Sequence, residues 1–98
     1  MRYLTVDGMS SGTGVRDTLD GGFVDLDKIG VSAGLKRDVR VWLLEYEADF
    51  FAGFRNLKTL AALDEKGLQI AQRLSKEIPG SKIEYYSDGK SEKIYFKL

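Results

Sequence analysis

Leu35, Val39, Trp42, Tyr46, Phe50 and Phe54 recur at steps of three and four, and this spacing constrains the chain more than any other feature. At about 100° per residue, all six fall on one helical stripe that another layer must cover. Ser32 precedes the stripe as an N-cap, its hydroxyl able to accept a free N–H of the first turn. Gly53 ends it. Leu43, Leu44 and Phe51 widen the stripe beyond what a small sheet covers. Five aromatic residues between Trp42 and Phe54 are hard to bury beneath short strands, so one or two are expected at an interface.

A second stripe, Leu60, Leu63, Gly67, Ile70, Ala71, Leu74 and Ile78, predicts a helix from Leu57 to Ile78, stopped by Pro79-Gly80. Gly67 costs this helix about 1 kcal/mol relative to alanine, which a close contact with another element would offset. Tyr3-Leu4-Thr5-Val6 reads as a strand, and Gly8 to Gly14 as a mobile surface loop. Residues 15 to 31 read as an irregular but ordered loop, pinned by side chains among Val15, Leu19, Phe23, Val24, Leu26, Ile29 and Val31. A hairpin closes the chain: Lys82 to Tyr86, a turn over Ser87-Asp88-Gly89-Lys90, and Lys93 to Leu98. The expected fold is one α+β domain over residues 1–98. It has a three-stranded antiparallel or mixed sheet packed against two α-helices, in the order β-α-α-β-β.

Histidine and cysteine are both absent. The usual acid–base group near neutral pH, the usual activator of serine and the best zinc ligands are therefore missing. The expectation is a protein that is not an enzyme and uses no cofactor or metal. Lysine plus arginine and aspartate plus glutamate both total 15, so the chain lacks the cationic excess that nonspecific nucleic-acid binding needs. No stretch reaches the roughly 18–20 apolar residues of a membrane span, and Met1 to Asp7 lacks the apolar core of a signal peptide. A cytoplasmic protein is expected.

Gly12-Thr13-Gly14 is followed by Val15-Arg16, so neither a P-loop nor a dinucleotide fingerprint is formed. A small hydrolase or transferase using Ser10, Ser11 and Thr13 is the catalytic alternative. Asp7, Asp17, Asp20, Asp25 and Asp27 face only Arg2, Arg16 and Lys28, leaving residues 1–30 at −2. The EF-hand spacing is absent, so these acids read as solvated turn residues or as an acidic lip for a basic protein. Glu45 and Asp49 lie one helical turn apart and read as a solvent face. The candidate partner-binding residues are Asp17, Asp20, Asp25, Asp27, Glu45 and Asp49. Lys90, Lys93 and Lys97 read as protection of an edge strand.

Four segments together carry a family resemblance. They are Tyr3-Leu4-Thr5-Val6-Asp7-Gly8; Asp25-Leu26-Asp27 with Val31-Ser32 and Leu35 leading into the Trp42 helix; Glu65-Lys66-Gly67-Leu68 with Ala71 and Leu74; and the terminal hairpin. In this order they resemble small bacterial immunity proteins of polymorphic toxin and contact-dependent growth inhibition systems. The resemblance implies an antitoxin role, with 1:1 binding of a cognate toxin domain, often a nuclease, in the cytoplasm, and no direct contact with nucleic acid or membrane. A homo-oligomeric regulatory module, dimerising through the surplus aromatics, is the alternative.

Overall fold

Four strands, rather than three, make the sheet. The computed structural model describes residues 2–96. In chain order its elements are β1 (Tyr3–Asp7), β2 (Val15–Asp17), a 3-10 turn (Leu26–Lys28), α1 (Ala33–Phe51), α2 (Leu57–Glu77), β3 (Lys82–Ser87) and β4 (Glu92–Ile94). The sheet order is β2-β1-β3-β4. The central pair β1–β3 is parallel and both outer pairs are antiparallel. Parallel neighbours need a long crossover, and α1 with α2 provides it.

The extra strand lies inside the segment expected to be irregular. Val15-Arg16-Asp17 contains one core residue, too little for an alternation signal, and is held as a strand by its pairing with Leu4, Thr5 and Val6. The chain then turns back, so that Phe23 bridges to Arg16. The Gly8–Gly14 loop is also fastened rather than free. Phe23 stacks over Gly12, and Thr13 Oγ1 lies 3.0 and 2.7 Å from the carbonyls of Val15 and Val24. The β4 strand ends at Ile94. Lys97 and Leu98, expected in it, lie outside the described residues.

Both helices begin and end where local chemistry places them. Ser32 accepts the N–H of Leu35 and donates to Glu77 at the end of α2. Asn56 caps α2 by accepting from Lys58 and Thr59. After α1, Gly53 adopts φ 82°. Its N–H bonds the Phe50 carbonyl and the Phe54 N–H bonds that of Asp49, the paired pattern of a Schellman cap.

The helices cover one face of the sheet. Leu4, Val6, Ile83 and Tyr85 meet Leu35, Val39, Trp42, Tyr46, Leu63, Ile70 and Leu74 in a single core. The Trp42 indole donates to the Leu63 carbonyl at 2.8 Å, joining the two helices. Gly67 lets the Tyr85 ring pack directly against α2: a Cβ there would sit 2.2 Å from a Tyr85 ring carbon. The buried Asp64 carboxylate accepts hydroxyl bonds from Tyr46 (3.0 Å), Tyr85 (2.6 Å) and Ser87 (2.8 Å). Burial, first, and the nearby carboxylate push the Tyr46 hydroxyl up to about 12 and raise that of Tyr85 as well.

The opposite face of the sheet satisfies itself. Arg16 pairs with Asp7 at 2.9 Å and lies over the Tyr86 ring. Lys93 pairs with Glu84 at 2.6 Å, Tyr3 donates to Glu84, and Lys82 lies over Tyr3.

Two predictions follow from this packing. Helix propensity alone would make Gly67→Ala stabilising by about 1 kcal/mol. The Tyr85 contact reverses the sign, and chemical denaturation should show a loss of roughly 1–3 kcal/mol from overpacking. For Glu84, burial raises the carboxyl, but Lys93, Tyr3 and Lys82 more than offset it and hold the group below its ordinary value of 4.5. A depressed carboxyl contributes stability above its unfolded value and loses it as pH falls through the folded one. Urea midpoints should therefore decline below about pH 4.5, and by less in Glu84→Gln.

Candidate functional site

The geometry of α1 divides its surface into three strips. Val39, Trp42 and Tyr46 point into the core. Arg40 and Leu43 line a hollow with Gly12, Thr13, Asp25 and Leu26 on one flank. Glu45 and Asp49 lie on the other flank, toward α2. Between the flanks, directly opposite the core, Val41, Leu44, Ala48 and Phe51 form a second apolar stripe at steps of three and four. It is uncovered: Val41 is 51% exposed, Leu44 67% and Phe51 73%. Phe50 and Leu57 add exposed apolar surface near the α1–α2 turn. A cluster of this kind on one helix differs from singly scattered exposed apolar residues, which need no explanation.

Beside the stripe, the seam between the helices forms two hollows that share Glu45. The first, about 240 Å³, has Trp42 and Ile70 among its lining residues and is flanked by two ion pairs. Arg73 meets Asp38 at 2.6 Å and holds its carboxyl below the ordinary range. Lys66 meets Glu45 at 3.2 Å. The second hollow, about 350 Å³, is lined by Glu45, Ala48, Asp49, Ala52, Thr59 and Leu63, two carboxylates with no cation among them.

Asp49 departs from its expected place on a solvent face. It is 9% exposed, and its Oδ2 has no hydrogen-bond partner among the described residues. Three physical penalties meet at this side chain. A buried unpaired polar atom costs about 1–3 kcal/mol. An anion in the last turn of a helix opposes the macrodipole. In the Schellman cap, the position Asp49 occupies ordinarily makes an apolar contact with the residue at Phe54. The start of α2, at Thr59 across the hollow, offsets part of this through its own dipole, but the Asn56 side chain already occupies the N–H groups of Lys58 and Thr59.

The other predicted acids do not gather into one patch. Asp17 accepts from the N–H groups of Leu19 and Asp20, Asp20 from Gly22, and Asp25 from Asp27, each closing its own turn. Lys36 pairs with Asp27 at 2.9 Å and holds its carboxyl below the ordinary range. Asp25 borders the loop-side flank of α1, whereas Glu45 and Asp49 border the α2 side. Glu45 and Asp49 line a common hollow, and Asp25 lines a different one. Sequence reading passed over Val41 and Ala48 as part of a stripe with Leu44 and Phe51, although their three-and-four spacing was there to find. It also missed Asp64, for which no local signal exists.

Among the described residues, no group of three or more acidic side chains is placed to hold a metal ion, and no helix is long and apolar enough to cross a membrane. No family model matches the chain, and a search of curated proteins finds no relative.

If Asp49 costs the free protein stability, Asp49→Leu should raise the urea midpoint by the equivalent of about 1 kcal/mol. An unchanged or lower midpoint would show that the carboxylate is well accommodated.

Proposed function

We propose that this chain is an immunity-type inhibitor that binds a cognate toxin domain, a nuclease, 1:1 in the cytoplasm, with the outward face of α1 as its docking surface. The observation that carries this reading is the uncovered stripe of Val41, Leu44, Ala48 and Phe51 beside a hollow lined by Glu45 and Asp49. Apolar anchors would supply affinity, while local carboxylates would select a basic partner and speed its approach. A nuclease cleft that binds phosphates presents such a basic surface. The chain's zero net charge makes this attraction local, confined to the α1–α2 seam and the aspartate turns. A pure binding role also accords with a sequence that contains neither histidine nor cysteine.

The exposed Phe51 and Leu57 would equally suit a homodimer, and light scattering at micromolar concentration separates the two readings. The inhibitor reading expects a monomer that forms a 1:1 complex with the product of the adjoining gene. Expressing that product alone should arrest growth, and co-expressing this chain should restore it. Phe51→Glu should lose the protection while melting like the parent protein. A harmless neighbour, or protection unaffected by Phe51→Glu, would overturn the assignment.

A further inference from the structure

We propose that the hollow between α1 and α2 is a socket for an arginine side chain of the protein partner, paired with Asp49. This deepens the inhibitor reading and rests on it for the partner, although the socket can be tested on the isolated chain.

The argument begins with the orphan oxygen. Asp49 is nine-tenths buried and lines the hollow; its Oδ2 finds no donor among the described residues and is closed off from solvent, so an incoming guanidinium meets it once the carboxylate turns toward the hollow. Every other acid named as a candidate already has a partner: Asp17, Asp20 and Asp25 bond turn N–H groups, Asp27 pairs with Lys36, and Glu45 pairs with Lys66. The unmet demand is therefore for a donor, and it is concentrated at one carboxylate. Ala48, Ala52 and Leu63 give the hollow short apolar walls, suited to the alkyl stem of a long cationic side chain. Thr59 at the rim offers a further polar contact.

Arginine fits better than lysine. Its planar fork can meet a carboxylate through two parallel N–H bonds, and it loses less hydration on burial than an ammonium. Ala48, part of the exposed stripe with Val41, Leu44 and Phe51, also lines the socket. A docked partner would cover both at once, excluding water from the ion pair and strengthening it.

The test uses N-acetyl-arginine-N-methylamide as the probe, titrated into the isotope-labelled full chain and followed by amide chemical shifts. Shifts should concentrate at Ala48, Asp49, Ala52, Thr59 and Leu63. They should weaken at high salt and be absent with N-acetyl-norleucine-N-methylamide, which keeps an alkyl stem but lacks the guanidinium. Asp49→Asn should reduce the apparent affinity about tenfold, as expected on losing a charge-assisted bond, whereas Asp25→Asn should leave it unchanged. The proposal fails if the shifts gather at Asp20 or Asp25, if norleucine reproduces them, or if Asp49→Asn titrates like the parent. Should Asp49→Asn not fold, the location of the shifts in the parent chain decides alone. A lysine analogue that binds more tightly than arginine would also overturn the assignment. Growth protection without an arginine shift would sink the socket and leave the inhibitor role standing; an arginine shift without protection would do the reverse.

Discussion

The structure depends on how a buried carboxylate is satisfied. Asp64 on α2 is 3% exposed, and it receives hydroxyl bonds from Tyr46 on α1 and from Tyr85 and Ser87 on β3. A desolvated charge is tolerated only when its oxygens are filled, so three elements must reach their places together. The same hydroxyls then organise the terminal turn: Tyr46 accepts the N–H of Gly89, and Ser87 accepts that of Lys90. Gly67, one turn along α2 from Asp64, lets the Tyr85 ring come close enough for its hydroxyl to arrive. Removing the carboxylate would strand three buried donors rather than delete one bond.

Against that background Asp49 behaves differently. Both acids are buried on helices, yet one collects three donors and the other leaves an oxygen unmet. The fold fills a buried carboxylate at Asp64 and leaves an oxygen unfilled at Asp49. Stability is commonly given up where binding needs it. The open face of the sheet contrasts with both, because its cations are already paired with Glu84 and Asp7 or lie over tyrosine rings.

Local rules made much of the architecture legible. Ser32, Gly53 and Pro79-Gly80 mark helix ends through backbone bonds and φ preferences that need only neighbouring residues. The surplus of apolar residues on α1 was equally readable, since Leu43, Leu44 and Phe51 widen the Trp42 and Tyr46 stripe beyond what a small sheet covers, but its separation into a second, exposed stripe with Val41 was not. The β2 strand was not readable. Three residues with one core side chain give no period, and only pairing to β1 holds them extended. The Gly8–Gly14 loop looked mobile for a similar reason, because Phe23, the residue that fastens it, comes nine positions after Gly14.

The sequence by itself determined two amphipathic helices, their caps, a first strand and a terminal turn, because periodicity and capping act within a few residues. Tertiary structure alone decided the parallel pairing of β1 with β3, the fourth strand and the different fates of the acids. In the sequence Glu45, Asp49 and Asp64 are interchangeable helical carboxylates. What separates them is solvation and the donors that distant segments bring, and neither exists until the chain has closed on itself.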